Sequence, residues 1–389
     1  MYIHRREYRG RAAMGKVRVA LIGIGNCASA VVQGVYYYKN VDENAKIPGL
    51  LHPKLGGYHI GDIEFVAAFD VSKEKIGKDL SEAIFAYPNI TRKFADVPRL
   101  GVEVKPGPVL DGVASHMVES FRPHDMNIGL DYVVDELKSS GAEVVVNLLP
   151  VGSEDATRFY ADAAVRAGAS FVNGIPVFIA SDPEGYWPKR YQEAGVPLLG
   201  DDIKGQLGAT ILHTALVSLL RDRGVKVLET YQLNVGGNTD FLNMTVEERL
   251  KSKRISKTRA VTSIIPEGFN LEDTGRVRIG PSDYVPFLEN IKICYIYIKG
   301  LSFADFTVEL DVKLKVDDKS MFAGAMIDAI RLAKIAMDRG LSGPIPEACA
   351  YYFKHPPKHA PSPQIALQWL KSFLGEKIEL PEEAALAVK

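Results

Sequence analysis

The segment "KVRVALIGIGNCAS", Lys16 to Ser29, joins a β-branched run to Gly23, Gly25 and Ala28 in the spacing G-x-G-x-x-G/A. Few local folds accept it. The run reads as a strand, the two glycines permit a tight turn with close backbone approach, and the following helix presents free N–H groups and a positive dipole end to a pyrophosphate. A bare match is a weak signal. It gains weight from its place, at the first β-to-α crossing of a chain that carries several such units.

The strands "KVRVALI", "EFVAAFD", "EVVVNLLP", "SFVNGIP" and "VPLLGDD" alternate with amphipathic stretches such as "NIGLDYVVDELKSSG" and "SEDATRFYADAAVRAGA", each closed by a glycine. Near-continuous apolar strands separated by helices imply a parallel sheet covered on both faces. The expected fold is α/β: a Rossmann-like doubly wound sheet over residues 15–200. Asp70 ends the second strand, where an acidic residue holds the adenosine ribose. It follows Gly25 by some 45 positions rather than about 20, because the Gly- and Pro-rich loop "YKNVDENAKIPGLLHPKLGGYHIGD" intervenes. With no Arg adjacent, Asp70 favours NAD over NADP.

After Gly200 the pattern changes. A long helix candidate, "KGQLGATILHTALVSLLRDRG", precedes "KVLETYQLNVGG", "VRIG" and "NIKICYIYIKGLSFADFTVELDVKLKV", which read as antiparallel strands without intervening helices. These define an inserted α+β domain, residues 201–317. Residues 318–389 open with the helix "SMFAGAMIDAIRLAKIAMDRG" and rejoin the first domain; a last helix is expected over Pro363–Leu374. Residues 1–14, Arg-rich but without the apolar core of a secretory signal, read as a disordered extension or as a start assigned upstream of Met14.

Composition excludes several functions. Lys+Arg and Asp+Glu are 47 and 48, so no global field draws the protein to nucleic acid or anionic lipid. No apolar run approaches the ~20 residues that span a bilayer. Cys27, Cys294 and Cys349 form no CxxC pair, which argues against disulfides and structural zinc and fits a reducing cytoplasm. His355 and His359 stand four apart, but Pro356, Pro357 and Pro361 break any helix that could aim both at one metal.

Polar residues gather in the second domain. In "LLGDDIKGQLGAT" the segment Gly205, Gln206, Gly208 and Thr210 at a helix start could hold a phosphate, or Asp201 and Asp202 could simply cap that helix. In "QLNVGGNTDFLN", Asn234, Asn238, Asp240 and Asn243 suit either turn chemistry or a polyhydroxylated ligand. "RLKSKRISKTR" packs six basic residues into eleven. Lys253 and Lys257 share one face of a helix, where like charges are mildly unfavourable unless an anion joins them. A solvated face, a nucleic-acid patch and a phosphate-handling site all compete for this stretch.

The order of these motifs resembles the myo-inositol-1-phosphate synthase family, and most of all its actinobacterial and related prokaryotic members. "GIGNCAS" is similar to the family's NAD loop, "GDDIKGQ" to GDD-x-K-S-G-Q, "LNVGGNTDFLN" to its Asn-rich loop and "SKRISKT" to S-K-x-I-S-K. "FLENIKI", "DKSMFAGAMID" and "YYFKHPP" complete the series in order. The resemblance implies conversion of D-glucose 6-phosphate to 1L-myo-inositol 1-phosphate, the first step of inositol biosynthesis, with bound NAD and no net redox change.

The same resemblance implies that Lys253 and Lys354 transfer the proton at the C5 oxygen, and that Lys257 and Lys292 serve the C1 oxygen and phosphate. Asp202 and Asp318 sit near the nicotinamide and the reacting hydroxyls. Asn234, Asn238, Asp240, Gly205, Gln206 and Gly208 contact substrate, and Gly23, Gly25, Asn26, Cys27, Ala28, Asp70, Asn147, Asn173 and Asp201 contact NAD. Arg249, Lys251, Arg254 and Arg259 remain surface or interface charges. The resemblance further implies a homotetramer built through the second sheet, consistent with apolar strands such as "ICYIYI", and no nucleic-acid or membrane partner. It leaves open a divalent metal or a monovalent cation, ammonium or potassium. Departures are Gly205-Gln206-Leu207-Gly208 for S-G-Q-T, "NGIPVFIAS" for N-G-S-P-Q-N-T, and Asn290 at an acidic position. Two other classes compete: an NAD-dependent dehydrogenase of a phosphorylated or polar substrate, and a non-catalytic NAD-sensing regulator, for which the dispersed lysines have no shared purpose.

Overall fold

The structure, a computed structural model, describes residues 15–266 and 268–376; the expectation for 1–14 lies outside the described residues. Seven parallel strands form the main sheet, in the spatial order Gly343–Pro344, Pro197–Leu199, Ser170–Asn173, Val144–Asn147, Val17–Ile22, Ile63–Asp70, Val104–Pro106. The order reverses between Val17–Ile22 and Val144–Asn147, so ligands are expected where the loops after these two strands diverge.

Strand alternation sends Val17, Val19 and Leu21 to one face and Ala20 and Ile22 to the other, and both faces are buried. Helices Asn26–Tyr38 and Asp318–Asp338 cover the first face. Leu130–Ser140 and Glu154–Ala167 cover the second. Glycines in the left-handed region, Gly141 and Gly168, end these last two helices, as their positions in the sequence predict. No helix among the described residues is long and apolar enough to cross a membrane.

The second sheet is mixed. Lys226–Gly236 pairs in parallel with Val277–Tyr284 and antiparallel with Ile291–Leu301, which pairs antiparallel with Thr307–Asp317. The expectation of antiparallel strands with no intervening helices fails for the first pair. Helices Thr239–Asn243, Lys251–Thr262 and Gly268–Asp273 lie between these two strands, and a crossover of that length is what parallel pairing requires. The basic run is part of this crossover, which turns it from a surface feature into a structural one. One sheet face packs Cys294, Ile296 and Ile298 on helices Ala209–Asp222 and Lys251–Thr262.

The long loop before Asp70 is not structureless. It contains the hairpin Lys54–Leu55/Tyr58–His59 and is held by Arg331, a fully buried guanidinium on helix Asp318–Asp338. Arg331 pairs with Asp328 and donates to the carbonyls of His52 (2.7 Å), Pro53 (3.0 Å) and Tyr58 (3.2 Å). Removing one partner of such a buried network leaves charge and carbonyls without compensation. Arg331→Met is therefore expected to cost about 3–5 kcal/mol in urea unfolding and to speed amide exchange over residues 50–62; unchanged exchange there would show that Arg331 does not hold the loop.

Candidate active site

Parallel sheets gather their loops at the carboxyl ends of the strands. Here one cavity is lined by Gly23, Gly25, Asn26 and Cys27 after the first strand, Asp70 at the end of the second, Leu148–Pro150, Gly174, and Asp202 after Pro197–Leu199. The second domain closes it with Thr239, Asp240, Lys253, Lys257 and Lys292, and the returning chain adds Asp318, Lys319 and Lys354. Thus the four lysines and two aspartates expected to do chemistry share one space with the glycine loop.

The loop is built to take a ligand. Gly23 has φ +84°, and a Cβ there would lie 3.1 Å from the Leu148 carbonyl oxygen, so only glycine fits. Gly25 has nothing within 4 Å of such a Cβ, and no side chain caps the first turn of the helix that follows. Its N–H groups therefore stay available, and the residues present fit a dinucleotide pyrophosphate. Asn26 Oδ1 accepts from the N–H groups of Ile90 (2.7 Å) and Thr91 (3.0 Å), fixing the loop's flank. Asp70 accepts from Ile24 N–H (2.7 Å) and Ser72 N–H (2.8 Å), and buried Lys75 stands 3.8 Å away, a neighbouring cation that the search for an adjacent Arg missed. Ala28 is buried in the helix and serves close packing.

Asp202 is the centre of the opposite wall. Its Oδ1 accepts from Lys253 Nζ (3.0 Å) and Lys354 Nζ (2.8 Å), and its Oδ2 from Ser256 Oγ (2.6 Å). Burial would raise its pKa, but the two ammonium groups outweigh burial and hold it well below the usual carboxylate range. Lys253 and Ser256 are presented by one face of helix Lys251–Thr262; Lys354 lies 152 residues downstream of Asp202. It arrives by a short ladder in which Lys354 N–H donates to Asp202 O (2.8 Å), His355 N–H to Asp201 O (3.0 Å) and Lys204 N–H to Tyr352 O (2.7 Å). Asp318 repeats the arrangement, pairing with Lys292 and, at 3.6 Å, with Lys319.

Lys257 is different. It is buried, and its ammonium has no hydrogen-bond or ionic partner among the described residues. Burial first, then Lys253, Lys292 and Lys354, push its pKa down to about 7. Burial also brings Lys354 down to about 8, although Asp202 pulls the other way. Lys253 stays above its ordinary value because Asp202, Asp240 and Asp318 outweigh the burial that would lower it. The cluster thus contains a cation held charged beside lysines that can exchange a proton near neutrality.

Other expected contacts stand elsewhere. Asn147, Asn173 and Asp201 form a buried chain behind the cavity wall: Asn147 Nδ2 donates to Asn173 Oδ1 (2.9 Å), and Asn173 Nδ2 donates to Asp201 Oδ1 (2.7 Å). Asp201 also accepts from the N–H groups of Ile179 (3.0 Å) and Ser181 (2.9 Å), so this chain supports the wall and is already occupied. Asn234 lies within the second sheet, donating to the Gly280 carbonyl (2.8 Å). Asn238 caps Thr239–Asn243 through Oδ1, while its buried Nδ2 has no partner among the described residues. Gly205 and Gly208 line the cavity, but Gln206 turns away toward Gly324. Gly208, not Asp201 or Asp202, sits at the N-cap of Ala209–Asp222, which removes the capping explanation for the aspartates.

Of the surface and interface alternatives, Arg249 takes the interface one. Its guanidinium donates to the carbonyls of Asp111 (2.7 Å) and Gly152 (2.8 Å), tying the basic run to the first domain. Lys251 and Arg259 are exposed, and Arg254 pairs with Glu247. Sequence reasoning gave no role to Ser256, Lys204 or Lys319. Ser256 was detectable by its helical spacing of three from Lys253, and Lys319 by its place beside Asp318. Half-buried Lys204, brought down to about 7 by desolvation and then Lys354, donates to the Ala350 carbonyl (2.9 Å), a contact no local pattern announces.

A doubly wound sheet with an uncapped glycine loop facing a buried lysine–aspartate cluster is the architecture of a Rossmann-type protein whose cavity suits a dinucleotide and an anionic ligand. Comparison with known proteins narrows the class. The family model for myo-inositol-1-phosphate synthase matches residues 208–319. Inositol-3-phosphate synthase of Mycolicibacterium smegmatis is 51% identical over 362 residues, covering 92% of this chain and 98% of the relative. Inositol-3-phosphate synthase of Corynebacterium glutamicum is 50% identical over 368 residues, with the same coverage of 92% and 98%. The crystal structure of a myo-inositol-1-phosphate synthase-related protein from Thermotoga maritima superposes with a TM-score of 0.73 at 27% identity, covering 94% of this chain and 100% of that one. The chain belongs to the myo-inositol-1-phosphate synthase family.

Burial of Lys257 has a consequence for stability. Between pH 7 and the ordinary lysine range, the unfolded chain binds a proton that the folded chain has lost, so native stability rises with pH across that window. Below pH 7 both states are protonated and the full penalty applies. Lys257→Met is expected to stabilise the protein at pH 6 by on the order of a few kcal/mol, with the gain shrinking toward pH 10; thermal melts across that range would refute the assignment if the gain were constant.

Proposed function

We propose that the chain converts D-glucose 6-phosphate to 1L-myo-inositol 1-phosphate by oxidation at C5, enolisation, aldol closure between C1 and C6, and reduction of the ring ketone. The observation that carries this reading is the Asp202-bridged pair Lys253 and Lys354, with partnerless Lys257 beside it, in the same cavity as the glycine loop. Gly23, Gly25, Asn26, Cys27 and Asp70 would hold NAD, which when bound would supply a reversible hydride acceptor for C5. Lys354, lowered to about 8, takes the C5 hydroxyl proton and returns it when the ketone is reduced. Lys253, kept charged by Asp202, stabilises negative charge on that oxygen.

The C6 proton lost on enolisation balances the one gained by the C1 oxygen on closure. Lys257, at about 7, can accept the first and donate the second, while Lys292 stays paired with Asp318 near the phosphate. More ammonium groups than carboxylates face the cavity, so a phosphate dianion restores charge balance. Gly205 and Gly208 offer backbone where hydroxyl-bearing relatives use side chains. A divalent metal does not fit the donors: among the described residues no group of three or more His, Cys, Asp or Glu could hold one, and both site aspartates are committed to lysines. No step here uses a metal.

We read the open face of the second sheet as the homotetramer interface. Tyr231 and Tyr297 stack there with centroids 5.2 Å apart, beside Leu233 and Tyr295, and Phe287 and Phe303 are 85% and 91% exposed. Three free thiols, Cys27, Cys294 and Cys349, suit a cytoplasmic enzyme.

Incubation with glucose 6-phosphate and NAD should yield periodate-labile inositol phosphate without accumulating NADH. No product with NAD and either ammonium or a divalent cation refutes the proposal, and NADH formed in step with product identifies a dehydrogenase instead. Lys257→Ala should keep NADH affinity and lose about 10²–10³-fold in kcat; an active variant would reassign the role. Tyr295→Asp with Tyr297→Asp should reduce the molar mass seen by light scattering, and an unchanged mass would place the interface elsewhere.

A further inference from the structure

Helices Asn26–Tyr38 and Asp318–Asp338 lie side by side and point the same way. A Cβ on Gly34 would meet Ile327 Cδ1 at 3.1 Å, and both residues lie about two and a half turns from their helix starts. The two starts therefore reach the cavity at one level, and Cys27 and Lys319 both line it. They arrive in different electrical states. The first helix has no side-chain cap and offers N–H donors. In the second, Asp317 accepts from Ser320 N–H (2.9 Å) and Asp318 N–H donates to Asn290 O (3.0 Å), so what this helix offers is the Lys319 ammonium.

That ammonium is under-partnered for its burial. Lys319 is 5% exposed and makes no hydrogen bond among the described residues; its ion-pair partner, Asp318 Oδ2, is 3.6 Å away, while Asp318 Oδ1 is taken by Lys292. An ammonium has three donors, and burial without acceptors is costly. Burial opposes its charge, yet Cys27, Asp318 and Asp240 together hold its pKa above the ordinary lysine value. The cavity wall there also carries Asp318 and Asp240, which would repel an anion at the glycine loop if no cation stood between.

We infer that Lys319 binds the pyrophosphate of the dinucleotide, clamping it against the first turn of helix Asn26–Tyr38; this rests on reading Gly23–Ala28 as the dinucleotide loop. The other lysines stand on different walls: Lys253 and Lys257 on helix Lys251–Thr262, and Lys292 on the second sheet beyond Asp318. Lys319 thus divides the anion work, with the cofactor's charge on one side of Asp318 and the sugar phosphate on the other.

The test measures binding without turnover. NADH is titrated by its fluorescence, and ADP-ribose, which keeps the pyrophosphate, and adenosine, which lacks it, by calorimetry, against wild type, Lys319→Met and Lys319→Arg. Loss of one charge-assisted contact should weaken NADH and ADP-ribose about tenfold or more in Lys319→Met, leave adenosine unchanged, and be largely restored in Lys319→Arg. Lys319→Gln decides the matter if the Met variant melts early. Unchanged NADH affinity in Lys319→Met or Lys319→Gln, or an equal loss for adenosine, overturns the inference while leaving the loop reading intact. Wild-type protein that binds no NADH overturns both.

Discussion

The Asp202 carboxylate, buried between two ammonium groups and a hydroxyl, is the contact on which the arrangement of the site depends. It joins the end of a Rossmann-type strand to a helix of the inserted domain and to the returning C-terminal chain. Taking three charges out of water is unfavourable unless each is paired with good geometry, and losing one partner strands the others. The same geometry sets the chemistry. Asp202 keeps Lys253 protonated, while burial first and then neighbouring ammonium groups bring Lys257 down to about 7.

Sheet topology explains why these groups meet. In a parallel sheet every strand delivers its following loop to one edge, so Gly23, Asp70, Gly174 and Asp202 converge although they span most of the first domain. The second domain is inserted at that same edge. Arg249, bonded to carbonyls of Asp111 and Gly152, fastens it there, and Arg331 braces the long loop against the helix that carries Asp318 and Lys319. Both arginines are far from the lysine cluster in role, yet both hold its walls in place.

Much of this was legible in the chain. Strand and helix periods, glycine helix ends and the G-x-G-x-x-A loop are local signals, and they located the parallel sheet correctly. The parallel pairing of Lys226–Gly236 with Val277–Tyr284 was not legible, because alternation is the same for parallel and antiparallel strands. Whether Arg249 was a surface or an interface charge stayed open in the sequence, because its partners are carbonyls from 97 and more positions away, and carbonyls have no sequence signature. Asn147, Asn173 and Asp201 are expected by the family resemblance to contact the cofactor; that they are also bonded to one another behind the cavity wall has no signature in the sequence.

The sequence by itself determined most of the elements, the glycine loop and which lysines the motifs carry, since periodicity, turn chemistry and motif order are properties of neighbours along the chain. Only the tertiary structure decided which lysines hold their proton firmly and which give it up near neutrality. Lys253, Lys257, Lys319 and Lys354 are chemically identical side chains, and their differences come from burial and from carboxylates and ammonium groups brought close through space. Electrostatic energy depends on distance and dielectric surroundings, and neither quantity exists until the chain has folded.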